Sequence, residues 1–376
     1  MLYILNYTYS PNTAASNRLM GYLKNMDKMG VEATVIILMP DASHSKLHIE
    51  CSSIKIEYCW EKTCVMHRLL RPLYYPVFVH SIKKRLRPGD KVYTYGFNAL
   101  SILGLKVQGV DCYCERTEHP DVVPFPGSRS LIVKKRDILP SLKAMKGIFV
   151  ISSPLRDYFI RQGIDESHIH LINMTVDPTR FKNLEKQPNK ERYIAYCGTA
   201  SNKKDGVDEL IKAFAIFAER IKDVKLYIIG KTPSKTDESG NFALIDNLGL
   251  RDRIVFLGLI PADEMPQLLK NAEILALDRP DSLQARHGFP TKLGEYLLTE
   301  NPVVVTKVGD IPRFLTDGKT ALLSEERNPE EFAAKLIWVI EHPKEASEIG
   351  KRGAQVAQQE FNSEIETKKM LDVIFA

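Results

Sequence analysis

Short apolar runs separated by helix-period segments recur along nearly the whole chain, and they come in two successive sets. In the first half the runs are Leu2–Leu5, Thr34–Leu38, Lys91–Tyr95, Val110–Cys114 and Gly147–Ile151, with helical stretches such as Asn17–Met29 and Pro154–Arg161 between them. In the second half they are Tyr193–Tyr196, Lys225–Ile229, Ile254–Leu257, Ile274–Leu277 and Val303–Thr306. Between the first two of these, Val207, Leu210, Ile211, Phe214, Ala218 and Ile221 keep the i, i+3, i+4, i+7 spacing of an amphipathic helix. Strand–helix alternation of this kind predicts parallel sheets covered on both faces. Two sets predict two such domains, and 376 residues are too many for one ordinary core. The polar stretch Thr179–Arg192, with Pro188 and no apolar period, is the expected hinge.

Composition narrows the class. Hydrophobic residues make up 44% and charged residues 26%, the profile of a soluble globular protein. No segment approaches the roughly 20 uninterrupted apolar residues of a membrane span. Met1–Tyr7 has no basic leader and reads as a first strand, so the expectation is a cytoplasmic protein. Six cysteines are present without a Cys-x-x-Cys pair or a zinc spacing, which fits reduced, buried thiols and no metal site. Charge is uneven: residues 1–180 hold 24 Lys/Arg and 16 Asp/Glu, net +8, and the remainder holds 28 and 31, net −3. The basic half is expected to face an anionic partner.

Ligands of open parallel sheets bind beyond the carboxyl ends of the strands, near helix N-termini. The segment His287-Gly288-Phe289-Pro290-Thr291-Lys292-Leu293-Gly294-Glu295 follows the Ile274–Leu277 strand and a polar loop. Pro290 suits the first helical position, because its missing N–H would be unpaired there anyway. The backbone N–H groups that follow form an anion site suited to a diphosphate, and Glu295, a turn further in, can accept hydrogen bonds from a ribose. An amphipathic helix with an exposed glutamate fits these residues equally well.

Over Gly288–Thr306 the chain resembles the donor-binding signature of glycosyltransferase family 4 and its GT-B relatives. The resemblance implies two Rossmann-like domains facing across a crevice. These are an acceptor-side domain over 1–180 and a nucleotide-sugar donor domain over 190–355, with a helix over 356–376 packing back towards the first. It makes Glu295 the ribose ligand and Gly288, Phe289, Pro290, Thr291 and Lys292 donor contacts. The family's first glutamate falls on His287, so its contact with the sugar passes to His287, to the Gly288–Pro290 backbone, or to nothing. In Cys197–Asp208 the family lysine falls on Lys204, while Thr199 replaces the family arginine. A lysine there would neutralise the leaving diphosphate. His119, in Glu118-His119-Pro120, occupies the place of a histidine that touches the donor sugar in many members. Thr13, Ala14, Ala15 and Arg18 stand in the first strand-to-helix loop, where Arg18 either adds a phosphate contact or lies on the helix surface. Arg279 and Ser282 are further phosphate candidates, and Asn173–Phe181 resembles the family's exit from the first domain.

The implied activity is retaining, metal-independent sugar transfer from a UDP- or GDP-linked donor to an acceptor saccharide or lipid-linked saccharide, as in cell-surface polysaccharide or glycolipid synthesis. The nucleotide sugar is a co-substrate, and no cofactor is expected. A non-catalytic nucleotide-sugar binder, or a GT-B epimerase or phosphorylase, are the rival readings. From Lys62 to Arg87 there are seven basic residues and no acidic one, interleaved with Leu69, Leu70, Leu73, Tyr74, Tyr75, Val77 and Phe78. Arg129, Lys134, Lys135 and Arg136 form a second basic cluster. Both suit peripheral contact with the anionic inner face of the plasma membrane, or a solvated helix face. No nucleic-acid-binding motif is present.

Overall fold

The computed structural model describes residues 1–11, 13–40, 46–60, 71–95, 105–122, 139–188, 191–232 and 234–376, without the side chains of Tyr7 and of 71–76. The chain forms two compact units: Met1–Asn173 with Ser363–Ala376, and Met174–Asn362. The boundary thus falls at Asn173, ahead of the polar stretch expected to be the hinge. Pro178–Phe181 is a short turn of helix inside the second unit.

Unit 1 runs β1 (Leu2–Tyr9), α1 (Ala14–Lys28), β2 (Ala33–Pro40), β3 (Ile54–Tyr58), α2 (Arg71–Lys83), β4 (Lys91–Tyr95), β5 (Asp111–Arg116), α3 (Leu139–Lys143), β6 (Gly147–Val150), α4 (Ser153–Arg161) and β7 (Ile169–Leu171). Among the described residues its seven strands are parallel in the order β3-β2-β1-β4-β5-β6-β7.

Unit 2 begins with β8 (Arg192–Cys197), α5 (Asn202–Asp205), α6 (Val207–Arg220), β9 (Val224–Ile229), α7 (Lys235–Asn247), β10 (Ile254–Gly258) and α8 (Met265–Asn271). It continues with β11 (Ile274–Leu277), α9 (Leu283–His287), α10 (Thr291–Leu298), β12 (Val303–Thr306), α11 (Ile311–Phe314), β13 (Leu322–Ser324), α12 (Pro329–Glu341) and α13 (Pro343–Glu360). Its six parallel strands lie in the order β10-β9-β8-β11-β12-β13. The strand order reverses between β1 and β4 and between β8 and β11, which makes both sheets Rossmann-like. A last helix, α14 (Ser363–Ile374), belongs to unit 1.

The central strands are apolar because helices cover both faces. Every residue of β6, β11 and β12 is buried. The strands that the apolar runs do not reveal lie at sheet edges. In Ile54-Lys55-Ile56-Glu57-Tyr58 only Ile54 is buried, and β7 and β13 are three residues each. On α6, Val207, Leu210, Ile211, Phe214, Phe217 and Ala218 form the buried stripe that its spacing predicts.

α14 packs on α1: Asn25 Nδ2 donates to Ser363 Oγ at 3.1 Å and lies 3.3 Å from Thr367 Oγ1. The fully buried Glu366 accepts from the Asn173 backbone N–H at 2.7 Å and pairs with Lys369 at 2.6 Å.

Beneath the carboxyl ends of β1, β4 and β5 sits a buried ion pair, Arg18 with Glu115. Arg18 Nη1 donates to the Asn173 carbonyl at 2.7 Å and Nη2 to that of Ile172 at 3.1 Å, while Tyr93 donates to the other Glu115 oxygen. Burial, the largest single influence, would lower the guanidinium pKa, and Glu115 together with Tyr22, Tyr95 and Tyr93 raises it on balance. Arg18 therefore neither lies on the helix surface nor reaches a phosphate, because all three of its nitrogens are committed inside unit 1. Removing one member of such a pair strands the other charge. Arg18→Met should cost roughly 3–5 kcal/mol in urea unfolding, and adding Glu115→Gln should restore part of it. A loss below about 1 kcal/mol would show that the pair contributes no more than an exposed one.

Candidate active site

The site is built where β8 and β11 end side by side. After Cys197 the backbone passes through Gly198 (φ +150°), and after Ile229 through Gly230 (φ +123°). A Cβ on Gly230 would lie 1.9 Å from the Gly198 carbonyl oxygen, so the two loops touch backbone to backbone. Gly206, between α5 and α6, has φ +62°, and a Cβ there would lie 2.0 Å from the Asp278 carbonyl oxygen. Only glycine permits these approaches.

Charged side chains fill the space so closed. Asp205, 2% exposed, receives Lys292 Nζ at 2.5 Å on Oδ2, and Arg279 Nε stands 3.8 Å from Oδ1. The Tyr196 hydroxyl lies 2.8 Å from Asp205 Oδ2 and 3.1 Å from Lys292 Nζ. Burial would raise the Asp205 pKa, and the Lys292 and Arg279 charges outweigh it and lower it. Burial lowers the Lys292 pKa, with Asp205 opposing.

Beside this cluster Asp278 is also 2% exposed, and among the described residues its Oδ2 has no hydrogen-bond partner. Burial first, then the carboxylates Glu209 and Asp208, push its pKa up to about 8 against the pull of Lys212.

Glu295 lies one turn into α10 and is paired with Arg180, whose Nη2 also donates to the Ala262 carbonyl at 2.8 Å. Burial raises the Glu295 pKa, and Arg180 acts against it. Pro290 is the cap of α10 rather than its first helical residue, and no side chain caps this helix end. The Phe289 side chain belongs to the core. It is 8% exposed and packs on Phe314 and Phe361 with ring centroids 5.5 and 5.3 Å away, which pins the loop before α10.

The remaining candidates are spread more widely. Lys204, on α5, makes no ion pair among the described residues, and the exposed Thr199 offers its carbonyl to the Tyr196 hydroxyl at 2.7 Å. Ser282 caps α9 by accepting from Ala285 N–H at 3.1 Å, which occupies its hydroxyl oxygen locally. His287 Nδ1 lies 3.0 Å from the Leu283 carbonyl, so Nδ1 carries the proton.

In unit 1, His119 is 4% exposed. Its Nδ1 accepts from the Asp121 N–H at 3.1 Å and its ring packs 4.2 Å from that of Tyr158. Thr13 caps α1 by accepting from Ser16 N–H at 3.2 Å, leaving Ala14 and Ala15 exposed at the helix end. Asp205, Arg180 and Asp278 were not among the candidates read from the sequence. Asp205 is visible there as an acid in Lys204-Asp205-Gly206 where the family has glycine, but its partner Lys292 lies 87 residues on.

Residues 178–356 match the family described as glycosyl transferases group 1, and that stretch lies within the second unit. Two α/β units with parallel sheets of this order are the GT-B fold class. The chain is similar over 216 residues, at 24% identity, to mannosylfructose-phosphate synthase of Agrobacterium fabrum, covering 53% of this chain and 46% of that one. It is 27% identical over 158 residues to N-acetyl-alpha-D-glucosaminyl L-malate synthase of Bacillus anthracis, covering 42% and 39%. The chain thus spans less than half the length of these curated relatives. Among solved structures, Anabaena Alr3699/HepE in complex with UDP superposes with a TM-score of 0.76 at 16% identity, covering 99% of this chain and 98% of that one. Sucrose-phosphate synthase from Thermosynechococcus elongatus gives 0.74 at 16%, covering 99% and 97%.

The raised Asp278 pKa carries a stability consequence. Between the ordinary carboxylate value of 3.8 and about 8 the folded state holds a proton that the unfolded state has lost. Stability from this group is therefore complete below pH ~4 and falls as pH rises towards ~8. Asp278→Asn should flatten that fall and raise the melting temperature at pH 8. An unchanged pH profile of melting would mean that Asp278 ionises normally.

Proposed function

We propose that this protein is a retaining glycosyltransferase that moves a sugar from a nucleoside-diphosphate sugar to an acceptor hydroxyl. The observation that carries the reading is the placement of Lys292, Arg279 and Glu295 around the β8–β11 switch point, within the unit that matches the group 1 family. Glu295 accepts the ribose hydroxyls, and the uncapped N-terminus of α10 meets the diphosphate. The bond from the anomeric carbon to the diphosphate oxygen breaks while the acceptor oxygen bonds to that carbon on the same face. The acceptor proton passes to the departing phosphate oxygen, giving a glycoside and a nucleoside diphosphate. Protein cations meet the growing phosphate charge, so no divalent ion is needed for that step.

UDP in the HepE structures supports a uridine-linked donor, and GDP is the alternative. We assign the acceptor, a saccharide or lipid-linked saccharide, to unit 1, as the family resemblance implies. Glu295→Ala should weaken UDP or GDP binding by roughly 1.5–3 kcal/mol in calorimetry while the protein stays folded. Unchanged affinity would remove Glu295 from the site. Binding of nucleotide sugars without transfer to any acceptor would favour the non-catalytic reading.

We also propose peripheral contact with the cytoplasmic leaflet. Among the described residues no helix is long and apolar enough to cross a membrane. Lys62, Arg68, Leu69, Leu70 and the cluster Arg129, Lys134, Lys135 and Arg136 lie outside the described residues, as do the side chains of Arg71, Leu73, Tyr74 and Tyr75. Of the described part, Val77 is 59% exposed and Lys84 and Arg87 are exposed, whereas Phe78 is core and Arg85 is paired with Glu57. Lys83→Gln, Lys84→Gln and Arg87→Gln together should release the protein from anionic vesicles at low salt and leave nucleotide affinity unchanged. Wild-type protein that ignores anionic vesicles would end this proposal.

A further inference from the structure

Of the two lysines that stand near the switch point, only Lys292 is held in a defined place. Its ammonium lies on the backbone of Gly198, where an added Cβ would come within 2.1 Å of Nζ. The aromatic face of Tyr196 supports it from 4.5 Å. Two of its three donors are committed, to Asp205 Oδ2 at 2.5 Å and to the Tyr196 hydroxyl at 3.1 Å, and the third has no partner among the described residues. Asp205 is buried beneath, while the Lys292 side chain keeps 15% of its surface open. With Arg279 on its other oxygen, Asp205 sits between two cations, and the three groups together carry one net positive charge. Lys204 sits on the same single-turn helix as Asp205 and has no such anchor.

We propose that Asp205 is a positioning residue that holds the Lys292 ammonium at the end of β8, so that its remaining donor meets the diphosphate of the nucleotide sugar. Lys292 then performs the duty that the family resemblance assigns to Lys204. This rests on the glycosyltransferase reading. An immobilised ammonium suits the task, because its orientation is settled before the phosphate charge grows. A buried carboxylate also keeps that ammonium protonated against its desolvation. The groups facing Lys292 are Tyr196 and Cys197 from β8, Asp205 from α5 and Arg279 after β11.

The test is calorimetric titration with UDP and with GDP from about pH 6 to pH 9, because a lysine whose pKa is lowered by burial loses its proton earlier on the alkaline side than an exposed one. Wild-type protein should bind one of the two, with affinity falling on the alkaline side. Asp205→Asn should bind at least about tenfold more weakly at pH 8 and begin its alkaline fall at lower pH, because Lys292 has lost its counter-charge. Lys292→Met should lose at least about tenfold and Lys204→Met less than about twofold. In the double variant Asp205→Asn with Lys292→Met, the melting temperature should recover relative to Asp205→Asn while affinity should not.

The proposal is overturned if Asp205→Asn keeps wild-type affinity and pH profile. It is equally overturned if Lys204→Met loses as much as Lys292→Met, or if the double variant regains affinity. Should Asp205→Asn fail to fold, the comparison of Lys292→Met with Lys204→Met decides alone. Wild-type protein that binds neither nucleotide overturns the glycosyltransferase reading, and this inference with it, before any variant is made.

Discussion

The second unit is organised around a carboxylate that has almost no contact with water. Asp205 is costly to bury alone, and the structure offsets that cost with Lys292, Arg279 and the Tyr196 hydroxyl, each from a different element. Because these partners come from β8, from the segment after β11 and from α10, the carboxylate fixes where three loops end. The glycines follow from the same constraint. Gly198, Gly206 and Gly230 let backbone lie against backbone or ammonium, and that is what brings the charged groups within reach of one another.

Next to this balanced cluster stands an unbalanced one. Asp278 has Asp208 and Glu209 for neighbours, with Lys212 as the opposing charge, and is driven towards the neutral form. The two aspartates differ in environment rather than in chemistry. One sits between cations, which lower its pKa despite its burial, while the pKa of the other is raised by burial first and by the neighbouring acids after it. They flank the same strand-to-helix junction, since the Asp278 carbonyl touches Gly206, one residue after Asp205.

Much of the fold was legible in the sequence because parallel strands covered on both faces are written as unbroken apolar runs. β1, β2, β8, β9, β11 and β12 all carry that mark, and the amphipathic period of α6 reads directly as its buried stripe. β3, β7 and β13 did not show, since an edge strand is half-exposed or only a turn's length. In the candidate site, Lys292 and Glu295 were found because both lie in one contiguous motif. The roles of Asp205 and Arg180 were hidden because their partners are 87 and 115 residues away and no local pattern encodes them. The core packing of Phe289 was hidden for the same reason: its neighbours Phe314 and Phe361 are distant in the chain.

The helix α14 gives the two units different folding schedules. Unit 2 is one uninterrupted stretch, Met174–Asn362, so all of its partners emerge together. Unit 1 is not: Asn25 reaches Ser363 across 338 residues, and the buried Glu366 holds the Asn173 backbone from 193 residues away. A nascent chain carrying only the first 173 residues therefore presents an α1 surface with nothing upon it. That surface closes only after the whole second unit has been made, so the last contacts of unit 1 form when the chain of unit 2 is already complete.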